Sequence, residues 1–236
     1  MQIAQAPSVI ATNYDRMMGR IQAACQRQGK KFSDVTVVAV TKTVEVARVR
    51  EVIASGASEL GENYVQEARP KAQAVGKDRV RWHFIGHLQK NKVNSCLDFF
   101  ELIHSVDGFD LARRIAARAG QQGRKFPILL ELNLSGETTK FGVRPPDLIP
   151  LMESIETLEH IEVAGLMTIP PPRDDAEDSR PFFKRLRSLA DDLDRRGYRN
   201  WNRKYLSMGM TDDFEVALQE GSNLLRVGRG IFGGRG

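Results

Sequence analysis

Eight short apolar runs recur along the chain, and a helical pattern separates each from the next. They begin at Val35, Glu59, Arg81, Phe99, Phe126, Ile161, Lys204 and Asn223. Runs such as "VTVVAV" and "FPILLELNL" are too continuously apolar to face water on one side, so they read as strands covered on both faces. Strict alternation implies a parallel sheet, because parallel neighbours need a crossover connection. Eight repeats favour a closed (β/α)8 barrel of the TIM type over an open doubly wound sheet. One helix is extra. Ile10, Tyr14, Met17, Ile21 and Cys25 share a face ahead of the first strand, and Gly29 ends that helix. Residues 175–196 read as one long helix, and the helix after the seventh strand reads as capped by Thr211 and ended by Gly221.

No Pro/Gly/Ser-rich linker interrupts the pattern, so residues 1–236 are expected to form a single barrel domain. Two cysteines, Cys25 and Cys96, make no disulfide framework and suit a reducing compartment. The N-terminus lacks a basic stretch followed by an apolar one, and no apolar run is long enough to span a bilayer. The expected location is the cytoplasm. A net charge of +5 admits an anionic partner, either nucleic acid or a phosphorylated small molecule. The densest basic stretch, "SRPFFKRLRSLADDLDRRGYRNWNRK", interleaves Asp191, Asp192 and Asp194 with its arginines. Phe183, Leu186, Leu189, Ala190 and Leu193 recur in it at helical spacing. It reads as the solvated outer face of a helix, and no nucleic-acid partner is expected.

In such a barrel the chemistry lies at the C-terminal ends of the strands. The first strand then delivers Lys42, the second Glu62 and Asn63, and the third His83, Gly86, His87 and Gln89. The fourth delivers His104, Ser105 and Asp107, the fifth Asn133 with Lys140 in its loop, and the sixth Met167 and Thr168. The seventh delivers Ser207, Gly209 and Thr211, and the eighth Arg226, Gly228 and Arg229. His83 and His104 lie on strand patterns and read as packed core histidines, His87 as a loop group, and Met167 as a pocket wall or core filler. No His or Cys pair has metal-site spacing, so no metal is expected.

"LSMGMT" and "RVGRGIFGG" follow strands seven and eight, the usual phosphate-binding place in this fold. Glycine there lets backbone N–H groups approach an anion, and Ser207 and Thr211 add hydroxyls. Strands one, seven and eight are consecutive around a closed barrel, which brings Lys42 near that place. A lysine in a partly dry cavity has a depressed pKa and a nucleophilic amine. A phosphate-bearing aldehyde satisfies both elements, and pyridoxal 5′-phosphate is one, held on lysine as a Schiff base. Arg226, two residues before Gly228, would face its ring nitrogen. An arginine only donates, so that nitrogen would stay unprotonated and the ring would be a weak electron sink.

The stretches "VAVTKT", "GENYVQE", "WHFIGHLQKNK", "IHSVD", "TTKFGV", "GLMTI", "LSMGMTDDFEVAL" and "LLRVGRGIFG" resemble the pyridoxal phosphate homeostasis proteins, the YggS/PROSC family. That family is itself similar to the barrel domain of bacterial alanine racemase. The resemblance covers residues 38–233. It implies Lys42 as the Schiff-base lysine. It implies Ser207, Gly228 and Arg229 as phosphate ligands, the last two through backbone N–H groups. It places Arg226 at the pyridine nitrogen and Asn63 near the ring. It implies a role in intracellular vitamin B6 and amino-acid balance without efficient catalysis, with PLP-dependent apo-enzymes as recipients of the cofactor. Val44 stands where some relatives carry a second lysine, while Lys140 remains. The rival reading is a PLP-dependent amino-acid racemase or lyase. Full-length racemases draw one of their two bases from an additional β-domain. A monomer is expected, because one barrel completes this pocket.

Overall fold

The computed structural model describes residues 8–137 and 139–234. Eight strands close into a parallel barrel: β1 Thr36–Val40, β2 Glu59–Glu62, β3 Arg81–Phe84, β4 Leu102–Val106, β5 Phe126–Glu131, β6 Ile161–Met167, β7 Trp201–Ser207 and β8 Leu224–Val227. The helices are α1 Val9–Arg27, α2 Val46–Ala54, α3 Val65–Val75, α4 Val93–Leu97, α5 Phe109–Gln121, α6 Leu148–Ile155, α7 Arg180–Arg196, α8 Phe214–Gln219 and α9 Arg229–Phe232. The barrel type and the extra N-terminal helix are as the sequence pattern requires. Ser8 caps α1 through its hydroxyl, which accepts from Ala11 N–H at 3.2 Å, and Gly29 leaves the helix with φ +64°. Ile10, Met17, Ile21 and Cys25 of α1 are buried, and α1 packs on α2, α8 and α9.

Several boundaries differ from the expectations. Strand four begins at Leu102 rather than Phe99. Phe99 and Phe100 follow α4 and pack edge-on to one another, with Phe99 against Trp82 and Phe100 against Phe84. Their apolar character therefore serves the layer outside the barrel, not the ladder. Strand seven begins three residues early, at Trp201. The long helix starts as a 3-10 turn over Ala176–Ser179 before α7 takes over. Thr211 does not cap α8. That helix starts after Asp213, and the Thr211 hydroxyl instead accepts from Gly230 N–H at 3.1 Å, tying the loop after β7 to the loop after β8.

The barrel closes between β8 and β1, where Val38 lies level with Arg226 and Ala39 with Val227. The seam between β7 and β8 is thinner. One registered pair, Ser207 with Leu224, is supplemented by side chains. Asn223 Oδ1 accepts from Leu206 N–H at 2.8 Å and Ser222 Oγ donates to the Met208 carbonyl at 2.7 Å. Val38, Leu102, Leu129, Ala164, Met167 and Leu224 form an apolar cluster separate from the large core beneath the helices. Side chains alternate along a strand, so Arg226 shares the inner face of β8 with Leu224 and His104 that of β4 with Leu102. The barrel interior thus carries polar as well as apolar side chains.

Candidate cofactor site

Lys42 stands just past β1, between buried Thr41 and a strained residue. Thr43 has φ +60°, a conformation rare for a β-branched residue. Two bonds hold it there. Val44 N–H reaches the Thr41 carbonyl at 3.0 Å, and Thr43 N–H donates to Glu67 Oε2 at 3.2 Å. The turn fixes where the lysine leaves the strand.

Behind that turn lies a buried ion pair. Lys71 Nζ donates to Glu62 Oε1 and to the Thr41 carbonyl, each at 2.7 Å, and the Thr41 hydroxyl donates to the same Glu62 oxygen at 2.6 Å. Glu62 is fully buried and its Oε2 has no partner. Burial pushes the Glu62 carboxyl upward, against the opposing pull of its bonds from Lys71 and Thr41. Sequence reasoning singled out Glu62 and missed Lys71. Helical spacing carries the signal, because Lys71 falls on the same face of α3 as Ala68, Ala72 and Val75.

Asn63 follows Glu62, and its Oδ1 is buried without a partner. Gly86 presses on it. A Cβ at Gly86 would lie 2.4 Å from the Asn63 carbonyl oxygen, so only glycine fits there. This contact joins the "GENYVQE" and "HFIGHLQ" stretches physically. A cavity of about 280 Å³ opens between them, lined by Asn63, Tyr64, Gly86, His87 and Gln89. His87 stacks on Phe141 with centroids 3.7 Å apart.

Arg226 is 4% exposed. Its Nη2 donates to the Thr168 carbonyl at 2.9 Å and its Nη1 donates to Ser207 Oγ. Burial pushes its pKa down to about 10, while Asp213 and Glu131 pull the other way. It stays charged at neutral pH. Ser207 is fully buried, and its Oγ also lies 3.0 Å from His104 Nδ1. Ser207 therefore faces the arginine and a histidine. His83 and His104 are packed in the core as expected, but hydrogen-bonded to one another at 2.9 Å. Met167 belongs to the inner apolar cluster and is a core filler.

Gly228 opens the last turn. A Cβ built on it would make ordinary contact with Val40 at 3.5 Å, so a small side chain would fit there without a clash. Gly209, by contrast, has φ +94° and a Cβ would sit 2.5 Å from Ala217. The Arg229 side chain turns outward to Asp212. The larger cavity, about 620 Å³, is lined among others by Glu131, Asn133, Lys140, Arg173, Met210 and Arg229. Asn133 organises its loop by donating to the Glu137 and Lys140 carbonyls at 2.8 and 3.2 Å, and Lys140 pairs with Glu137 at 2.7 Å. Glu131 was not foreseen. Burial, with Asp107 adding to it, raises its pKa to about 7 against the pull of Arg226. Its position, last in β5 and two residues past buried Leu129, was the available signal.

The closed eight-stranded parallel barrel is of the alanine racemase N-terminal type. The family profile of that domain matches residues 13–236. A pyridoxal phosphate homeostasis protein of Aquifex aeolicus is 42% identical over 93% of this chain and 96% of its own. A protein of unknown function from Bifidobacterium adolescentis superposes with a TM-score of 0.90 at 35% identity, covering 98% of each chain. PipY of Synechococcus elongatus, solved with PLP bound, superposes with a TM-score of 0.80 at 32% identity, covering 92% of this chain and all of its own. The chain belongs to the pyridoxal phosphate homeostasis family.

Proposed function

We propose that this protein binds pyridoxal 5′-phosphate at the C-terminal mouth of the barrel, through residues 1–236 acting as one domain, and serves intracellular cofactor homeostasis. The observation that carries the reading is Arg226: a buried cation anchored by Ser207 and Thr168, level with β1 and four residues' rise below Lys42. The donor set suits the cofactor. A lysine amine meets an aldehyde, and backbone N–H groups at Gly228 and Arg229 meet a phosphate. Bound, the cofactor supplies an aldehyde that an amine takes up as a C=N bond with loss of water. Lys42 provides the amine, and the Thr43 turn fixes its direction. Asn63, with an uncommitted buried oxygen, borders the ring. Arg226 donates to the ring nitrogen and leaves it unprotonated.

A ring held that way stores little negative charge, so the protein is a carrier rather than an efficient catalyst, with PLP-dependent apo-enzymes as recipients. It acts as a cytoplasmic monomer. Among the described residues no helix is long and apolar enough to cross a membrane. The test is an absorbance spectrum of freshly purified protein before and after borohydride. A yellow protein that bleaches is expected; a colourless protein that takes up no added cofactor overturns the reading.

One observation favours the rival, an amino-acid racemase or lyase. Glu131 lines the large cavity with a pKa near the working pH of a general base. Chiral chromatography of L-alanine with saturating cofactor decides between them. Background conversion supports the carrier, and turnover near about 10 per second supports the enzyme.

A further inference from the structure

The two peptide units that meet at Lys42 are both tied to α3. The carbonyl before it, on Thr41, accepts from Lys71 Nζ at 2.7 Å. The N–H after it, on Thr43, donates to Glu67 Oε2 at 3.2 Å. Glu67 and Lys71 lie four residues apart in α3 and so share a face of it. Rotation about either backbone bond of Lys42 would move one of these groups off its partner. With both held, a helix outside the barrel sets the direction in which the lysine side chain leaves the backbone.

The turn needs that hold. Val44 N–H closes it on the Thr41 carbonyl at 3.0 Å, and its third residue, Thr43, has φ +60°. That position ordinarily calls for glycine or asparagine. A β-branched residue adopts it at a cost and keeps it only where its surroundings over-determine it. Here the surroundings are three bonds into α3 and β2. Beside the two at the flanking peptides, the hydroxyl of fully buried Thr41 donates to Glu62 Oε1 at 2.6 Å. Lys71 Nζ donates to that same oxygen at 2.7 Å, so Glu62 aims the lysine that holds the Thr41 carbonyl. The stretch "GENYVQE" supplies both acids, Glu62 and Glu67. A glycine would make the turn without these supports. A strained threonine with a clamp marks a backbone whose direction matters.

We propose that Glu67 and Lys71 are positioning residues for the capture of an aldehyde by Lys42. In capture, the Lys42 nitrogen bonds to the aldehyde carbon, and its two hydrogens leave with the aldehyde oxygen as water. The amine must approach that carbon from one direction, and a backbone already fixed has little orientation left to lose. The clamp therefore acts on the covalent step and not on the binding that precedes it. This inference rests on the reading of Lys42 as the point of attachment.

The experiment compares pyridoxal phosphate with pyridoxine 5′-phosphate, which carries an alcohol in place of the aldehyde and binds without a covalent step. It uses the full chain as wild type, Glu67→Ala, Glu67→Gln, Glu67→Ala with Thr43→Gly, and Lys71→Met with Glu62→Leu. The last is a double variant because Lys71→Met alone strands a buried carboxylate. Fluorescence titration gives the affinity for the alcohol, and borohydride trapping with peptide mapping gives the rate of capture on Lys42. Glu67→Ala is expected to slow capture roughly three- to tenfold and to leave affinity for the alcohol within about twofold of wild type. In the cofactor-free protein the Thr43 amide should exchange its hydrogen faster in that variant. Glu67→Gln, whose side-chain oxygen still accepts, restores both. Adding Thr43→Gly to Glu67→Ala recovers part of the rate, since glycine holds φ +60° unaided. Lys71→Met with Glu62→Leu slows capture as Glu67→Ala does. Equal weakening of both ligands in Glu67→Ala overturns the proposal, since that is the behaviour of a residue that only supports the fold of the site. Faster exchange at Thr43 with capture unchanged overturns it too. If the wild type captures the aldehyde at a residue other than Lys42, the reading of the site fails. If it captures on Lys42, and Glu67→Ala and the Lys71 double variant do so at the same rate, the clamp alone is overturned.

Discussion

Two buried polar groupings support the mouth of this barrel, and they are built differently. Beside Lys42, Glu62 and Lys71 form an ion pair with Thr41 bridging and one carboxylate oxygen left over. Beneath Arg226, a serine and two histidines form a hydrogen-bonded chain that ends on a partly exposed glutamate. The difference follows from what each neighbour must do. In the proposed site, the amine that takes up an aldehyde has to lose its proton. In the same proposal, a guanidinium that holds a ring nitrogen unprotonated must keep its charge and direction. A chain of fully paired groups fixes a direction.

Breaking the ion pair is expected to have the largest effect on the fold. Lys71→Met leaves the Glu62 carboxylate buried alone and should destabilise the protein by about 3–5 kcal/mol. Adding Glu62→Leu should recover most of that loss, because two apolar residues remove both charges. Urea unfolding of the single and double variants measures it, and a double variant as unstable as the single one contradicts the pairing. The histidine chain is worth less per member. His83→Phe orphans one nitrogen of His104 and should cost about 1–3 kcal/mol. A cost equal to that of Lys71→Met would erase the distinction between the two groupings.

Glu131, last in β5, feels the charges of both Asp107 and Arg226. Its pKa rises from 4.5 to about 7 in the folded protein, so the folded state binds the proton more tightly. The stability this contributes is complete below pH 4.5 and is lost as pH climbs through about 7. Unfolding free energy of the cofactor-free protein should therefore fall across that window, by an amount on the order of 1–3 kcal/mol. Glu131→Gln should flatten the profile. A profile unchanged by that substitution contradicts the assignment. The smallest effect is expected at Thr211. Losing one hydroxyl to the phosphate should weaken cofactor binding by about tenfold, read by fluorescence titration.

The barrel was legible because burial on both faces leaves long apolar runs and crossovers leave helical ones. Boundaries failed where another demand used the same residues. Phe99 and Phe100 look like strand residues because they are aromatic, yet they fill the space between β3 and α4. Thr211 looks like a helix cap, and its oxygen is taken by Gly230. The places of Lys42, Arg226 and Gly228 at strand ends could be read from the sequence. The histidine chain could not, because strand periodicity shows that His83 and His104 point inward and says nothing of which inward groups meet across the barrel. That pairing joins residues 103 positions apart in His104 and Ser207. Lys71 escaped because a lysine on a helix reads as solvated until its face is counted.

The account turns on Lys42 as the point of attachment. Borohydride reduction of the cofactor-loaded protein, followed by peptide mapping, tests this directly. The expected result is a pyridoxyl group on Lys42 and none in Lys42→Ala. A label on Lys140 or Lys204, with Lys42 unmodified, would contradict the account.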